Sequence, residues 1–224
     1  MLKTTSNISD PRFDRNKILI TVHSSLPDVW FWLIPFSDGS ASLGVVAKQQ
    51  RFDAGLSAAD NLWQLISQTP ELAELLAQAE PINQAQSLTG YSANVRSLHG
   101  NRFALLGNAG EFLDPVFSSG VTIALRSAAM AVPLVLRQLA GETPDWEAEY
   151  SKPLRKGIDT FRTFVTAWYD GRFQDVIFSN QRQAKVTAMI SSILAGYAWD
   201  QANPYVAEPE RRLNVLRELC LDAE

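Results

Sequence analysis

Closely spaced glycine is missing from this sequence. None of its 12 glycines has another glycine two positions away. No Gly-x-Gly-x-x-Gly turn therefore exists to cradle a dinucleotide pyrophosphate. Cysteine is nearly absent as well: Cys220 stands alone, which excludes an internal disulfide and suits a reducing, cytoplasmic setting. Histidine is limited to His23 and His99, too few and too isolated for a metal centre. Lys and Arg are not clustered, and the net charge is −4 with both signs mixed along the chain, so no nucleic-acid surface is expected. The start, MLKTTSNISD, is polar and lacks the apolar stretch of a signal peptide. The longest apolar stretch, Val121 to Ala140, carries Arg126 and Arg137. It is expected to be a buried helix, and no transmembrane segment is expected.

What is present is ordinary globular material. The 224 residues are 46% hydrophobic and 20% charged, which suits one large domain or two small ones. KILITVHS (17–24) alternates and is β-branched, DVWFWLIPF (28–36) is aromatic with period two, and SASLGVVAK (40–48) follows Ser37-Asp38-Gly39. Together they predict an antiparallel meander with a hairpin at Asp38-Gly39. Leu62, Leu65 and Ile66, then Leu72, Leu75 and Leu76, mark helical stretches separated by Pro70. Residues 84–97 suggest one more strand, and RFALL (102–106) runs straight into Gly107. Beyond that the chain is predicted to be nearly all helix. One helix spans Ser119 to about Leu139 with a bend at Pro133. Tyr150, Leu154, Ile158, Phe161, Val165 and Trp168 share a face of the next. Val186 to Tyr197 and Leu213 to Cys220 mark two more, and Gly141 to Pro144 is a linker.

Chemistry concentrates in GNAGEFLDPVFSSGVTIAL, Gly107 to Leu125. A helix start leaves free amides and about half a positive charge, which attract an anion or an electron-rich carbonyl. Gly120 lets a ligand approach the backbone closely, Ser118 or Ser119 is expected to cap the helix, and Pro115 stiffens the approach. Gly107 closes an apolar strand and leaves Asn108 at its carboxyl end, where ligands sit in open α/β sheets. Asn108 has the chemistry to hydrogen-bond a sugar or ribityl hydroxyl. The same strand, turn and capped helix also serve purely structural ends in many proteins. The Ser-Ser-Gly within it lacks the flanks of a nucleophile elbow. Trp30 and Trp32 share one strand face, with Phe31 and Leu33 on the other. Such a run packs a core, or its tryptophans wall a substrate space. Asp10 to Arg15 is expected to be a solvated turn, and the aromatics of the helical tail suit either packing or a substrate pocket.

The 107–125 stretch resembles the second flavin-contact motif of flavin-dependent halogenases and related monooxygenases of the p-hydroxybenzoate hydroxylase type. In that family Gly-Asp-Ala is followed by Phe-Leu-Asp-Pro, two small residues, Ser-Gly and an apolar helix. VWFWLIP (29–35) and the FSDGSASLGVV after it are similar to the family's Gly-Trp-x-Trp-x-Ile-Pro region, in matching order and separation. The resemblance covers roughly residues 10–140 well and the tail loosely. It implies FAD as cofactor, with Gly107 and Asn108 against the ribityl chain. It also implies that Pro115, Ser118, Ser119 and Gly120 wrap the pyrimidine end of the isoalloxazine, with the amides of Gly120 and Val121 facing its carbonyl. Trp30, Trp32, Pro35, Ser119 and Gly120 would lie on the halide or substrate side. Two positions depart from the family: Asn108 replaces its aspartate, and Val29 replaces the glycine before the first tryptophan.

The resemblance implies an α+β chain forming part of an α/β FAD-binding fold. Residues 1–100 would form an antiparallel substrate-side sheet, 101–140 the terminal strand and helix of the FAD-binding domain, and 141–224 a helical region. Both the dinucleotide fingerprint and the relay lysine of halogenases belong to a first portion not found here, so the chain looks like the carboxyl-terminal half of a larger flavoprotein. Arg102 to Leu106 would then insert among strands of the missing half, leaving its edges unpaired without them. The expected partners are that amino-terminal half, a small organic substrate, a halide and a flavin reductase. In the whole protein a reduced flavin would form a hydroperoxide, whose distal oxygen a halide or organic substrate attacks. A reductase of the same fold and an inactive remnant or small-ligand-binding module remain as alternatives; the catalytic residues stay open.

Overall fold

Alternation of apolar residues produces the strands that the sequence predicts. In the computed structural model β2 (Leu19–Val22), β3 (Trp30–Pro35) and β4 (Ser40–Val46) pair antiparallel in sequence order. The structure describes residues 2–4, 12–180 and 183–222, so Asp10 and Pro11 of the expected turn lie outside the described residues. The chain divides into two compact units, residues 1–89 and 90–224.

In the first unit, β1 (Leu2–Thr4) and β5 (Ala79–Pro81) complete a five-stranded sheet of order β2-β3-β4-β1-β5. The β3–β4 hairpin turns at Gly39, whose φ of 87° is accessible to glycine. Asp38 Oδ1 accepts the Ser40 amide at 2.9 Å to close that turn. Phe31 and Leu33 point to the face covered by α1 (Ala58–Ser67) and α2 (Pro70–Leu75). They pack there with Val29, Leu65, Ile66 and Leu72. Ser57 caps α1 by accepting the Asp60 amide at 3.1 Å, and Pro70 opens α2 at a position whose amide needs no partner.

The second unit begins with two short antiparallel pairs. β6 (Ala93–Asn94) pairs with β9 (Glu111–Phe112), and β7 (His99–Gly100) with β8 (Phe103–Ala104). The strand expected over 84–97 shrinks to Ala93–Asn94, because residues 82–94 are exposed and lack an apolar face to bury. Likewise, only Phe103–Ala104 of 102–106 is strand, held locally by β7 and by the Leu105 amide on the Leu98 carbonyl at 2.8 Å.

α3 (Ser119–Leu139) runs through Pro133 and buries Ile123, Ser127, Ala131 and Leu134. The expectation of a buried helix is corrected here. Val121, Leu125, Val132, Leu136 and Leu139 form a second apolar stripe that is open, with Leu139 80% exposed. Among the described residues α3 is the helix long and apolar enough to cross a membrane. α4 (Lys152–Tyr169) buries Leu154, Ile158, Phe161, Phe164 and Trp168 at helical spacing. α5 (Arg172–Phe178) and α8 (Pro209–Leu221) pack against it, with α6 (Ala184–Leu194) and α7 (Pro204–Ala207) between them in the chain. Leu213 and Cys220 of α8 are buried, whereas Tyr197 and Leu219 of the expected faces are exposed. Fold class and helical carboxyl-terminal region follow the α+β expectation.

Candidate functional site

Gly107 turns the chain at φ 52°, and a Cβ there would stand 3.0 Å from the Ala124 Cβ. Only glycine therefore lets this turn lie on α3. Ser127 of α3 locks it: its Oγ accepts the Gly107 amide at 2.9 Å and donates to the Ala124 carbonyl at 2.9 Å. Ser127 was not singled out from the sequence. A serine in an otherwise apolar helix, one of few polar residues there, was the available signal.

The next bend is set by Asp114 and Pro115. Asp114 Oδ1 accepts the Val116 amide at 2.9 Å, and Pro115–Phe117 form a single 3-10 turn. Ser118 follows in the left-handed region at φ 51°, the one such non-glycine among the described residues. The expectation that Ser118 or Ser119 caps α3 is corrected: no side chain caps it. A left-handed Ser118 does not have the extended backbone with which a capping serine reaches back. Ser119 is buried, Gly120 half-buried and Val121 exposed.

The mouth of α3 is consequently an uncapped helix start, with partial positive charge and free donors. Asn108 stands beside it. Its Oδ1 is 3.5 Å from where a Cβ on Gly120 would sit, with Phe112 Cε2 at 3.7 Å. Asn108 is exposed, and no hydrogen bond reaches its amide from the described residues. Gly107, Asn108, Pro115, Ser118, Ser119, Gly120 and Val121 thus gather around one helix start. This donor set fits an electron-rich, partly anionic ring edge.

Burial pushes the Asp114 carboxyl above its ordinary range, against the lowering effect of the Val116 amide and the Tyr169 hydroxyl. Tyr91 is raised by burial and then by the Asp114 charge. Phe117 meets Trp168 and Phe173 edge-on at 6.2 and 5.6 Å, giving the loop an apolar floor. The indole N–H of Trp168 is buried with no hydrogen-bond partner among the described residues.

Trp30, Trp32 and Pro35 lie in the first unit. Trp30 is 1% exposed, Trp32 is half-buried and donates to Ser42 Oγ at 3.2 Å, and Pro35 ends β3 opposite Ala41. The two indoles share the sheet face away from Phe31 and Leu33, with centroids 6.1 Å apart. His23 and His99 are engaged elsewhere, with Gln68 at 3.2 Å and Ser151 at 2.8 Å respectively. Among the described residues no group of metal-ligating side chains comes together.

The profile of the tryptophan halogenase family matches residues 21–207. Similar proteins include the 1H-pyrrole-2-carbonyl-[peptidyl-carrier protein] chlorinase of Pseudomonas fluorescens. It is 28% identical over 147 residues, which cover 64% of this chain and 33% of the chlorinase. The flavin-dependent halogenase ascD of Acremonium egyptiacum is 28% identical over 205 residues, covering 85% of this chain and 36% of its own. Among solved structures, a flavoprotein/dehydrogenase from Cytophaga hutchinsonii superposes with a TM-score of 0.88 at 36% identity. That alignment covers 99% of this chain and 54% of the other. The flavin-dependent brominase Bmp2 matches with a TM-score of 0.58 at 24% identity, a likeness of fold, covering 91% of this chain and 45% of that one. The chain spans about a third of the length of these curated relatives. With the profile running through most of the sequence, this chain belongs to the tryptophan halogenase family.

Proposed function

We propose that this chain is the carboxyl-terminal portion of a FAD-dependent, halogenase-like oxidoreductase acting on a small organic substrate. The observation that carries this reading is the uncapped mouth of α3, with Asn108 beside Gly120. Gly107 and Asn108 would hold the ribityl chain, and Pro115 to Val121 the pyrimidine edge of the isoalloxazine. FAD, when reduced, supplies the electrons that activate dioxygen. The chain's own part is electrostatic and steric. The free amides and the helix dipole stabilise negative charge at the ring edge, and Gly120 admits it to contact distance. Asn108 offers a hydrogen bond without the charge of the family's aspartate. Ser119, Gly120, Trp30, Trp32 and Pro35 would lie on the halide or substrate side, with the halide drawn by the same helix-end charge.

In this reading residues 1–100 form the substrate-side sheet, 101–140 the last strand and helix of the FAD-binding domain, and 141–224 a helical region. The open stripe of α3 supports an amino-terminal half as its cover. Each of Val121, Leu125, Val132, Leu136 and Leu139 would contribute roughly 1.5–3 kcal/mol on full burial. A halide and a flavin reductase complete the expected partners. A second reading, a FAD-dependent dehydrogenase or reductase, is favoured by the likeness to the Cytophaga hutchinsonii protein. Product analysis of the complete gene product with and without halide separates the two: halide-dependent product supports the first, and flavin reduction by substrate without dioxygen supports the second.

A further inference from the structure

The loop at the mouth of α3 is held from behind by one line of side chains. Arg155, Arg162 and Tyr169 lie seven residues apart on α4, a spacing that keeps them in one stripe along the helix. Arg155 grips the segment just after β6, Arg162 grips β9, and Tyr169 the bend that follows β9. Arg155 donates to the carbonyls of Val95 and Arg96 at 3.4 and 3.2 Å. Arg162 pairs with Glu111 at 2.8 Å, and that carboxylate is 5% exposed. Tyr169 donates to Asp114 Oδ2 at 2.8 Å. Glu111 and Asp114 flank Phe112 and Leu113, and Asp114 in turn fixes the Val116 amide. Anchoring these two carboxylates sets where Pro115 to Ser118 run, and so where the amides of Ser119 and Gly120 point.

We infer that α4 is the splint of this loop, with Arg162 and Tyr169 as positioning residues that act through Glu111 and Asp114 to aim the helix mouth at the flavin. The inference rests on the flavin reading above. Its chemistry is specific. A buried carboxylate needs a partner, and Arg162 supplies one from a helix fixed by the buried side chains of Ile158, Phe161 and Phe164. Tyr169 adds a rigid arm with few torsions to order. The stripe thereby transfers the stiffness of an 18-residue helix to a segment with almost no regular structure of its own.

Two measurements test it, using Tyr169→Phe, which deletes one hydroxyl, and Arg162→Gln. In the 224-residue chain without FAD, amide hydrogen exchange over residues 111–121 is followed by mass spectrometry. Exchange there is expected to rise about tenfold in each variant while α5 and α8 keep wild-type protection. In the complete gene product, the FAD dissociation constant is expected to rise about tenfold and the visible bands of bound flavin to shift. Unchanged exchange over 111–121 in Tyr169→Phe overturns the splint. Faster exchange with unaltered FAD affinity and spectrum overturns the positioning role. If the wild-type complete protein takes up no FAD, the flavin reading fails and the aiming role falls with it, whereas the exchange result still decides whether α4 holds the loop.

Discussion

Gly44 lies directly opposite Trp32 in the β3–β4 pair, and the Trp32 indole covers the place where a Cβ on Gly44 would be. A methyl group there collides with three indole atoms. Gly44→Ala is therefore expected to destabilise the first unit by about 1–3 kcal/mol through overpacking. Trp32→Leu combined with Gly44→Ala should recover part of that loss, because the ring that blocks the methyl is gone. Urea unfolding followed by tryptophan fluorescence measures both.

Asp114 makes stability depend on pH in an unusual direction. Its carboxyl is raised above the ordinary value of 3.8, chiefly by burial. The folded state thus holds the proton more tightly than the unfolded chain does. This contribution to stability is full below the ordinary carboxyl value and is lost as pH rises through the folded value. Asp114→Asn keeps an acceptor for the Val116 amide and removes the buried charge. The variant should be more stable than wild type at pH 7 and should converge with it below the ordinary carboxyl value of 3.8. Denaturation midpoints across that range give the answer.

Gly120 separates folding from ligand binding. A Cβ there meets only ordinary contacts, Asn108 Oδ1 at 3.5 Å and Phe112 Cε2 at 3.7 Å. Gly120→Ala should leave stability unchanged or raise it by up to ~1 kcal/mol, since alanine is the better helix former. The same methyl occupies the approach to the amides, so FAD affinity of the complete protein should fall at least tenfold. Thermal melting and a FAD titration of one preparation test both halves.

The open face of α3 predicts opposite outcomes in two contexts. In the 224-residue chain, Leu125→Lys with Leu136→Glu changes exposed positions, and stability should move by no more than ~0.5 kcal/mol. Self-association should drop, because a contiguous apolar stripe is removed. In the complete gene product the same pair should lower the soluble yield, because there the stripe is proposed to be covered. Sedimentation velocity and solubility assays follow the two effects.

The parts of the fold legible in the sequence were those fixed by local pattern. Alternation marks β2 to β4, Asp38-Gly39 marks their hairpin, and Pro70 separates α1 from α2. Strands that depend on distant partners were not legible: 84–97 and 102–106 reduce to two residues each, because their neighbours decide their length. The apolar content of α3 was plain, but composition does not say which of its faces this chain covers. At the candidate site, glycine spacing and the resemblance marked Gly107 to Val121. They gave no sign that Ser118 would be left-handed and the helix uncapped. Arg162 and Tyr169 lie far from the motif in sequence and reach it only through the packing of α4, whereas Ser127, two residues beyond the motif, meets Gly107 only because α3 runs back past that turn.

The central claim is that the mouth of α3 serves a flavin held with the help of further chain. The most direct measurement is a FAD titration, read by visible absorbance and fluorescence quenching, of the 224-residue chain beside the complete gene product. The complete product should take up FAD tightly, with affinity at least tenfold lower in Gly120→Ala, and the 224-residue chain should take it up weakly or not at all. Tight binding by the 224-residue chain alone, or a complete product that stays colourless with saturating FAD, would contradict it.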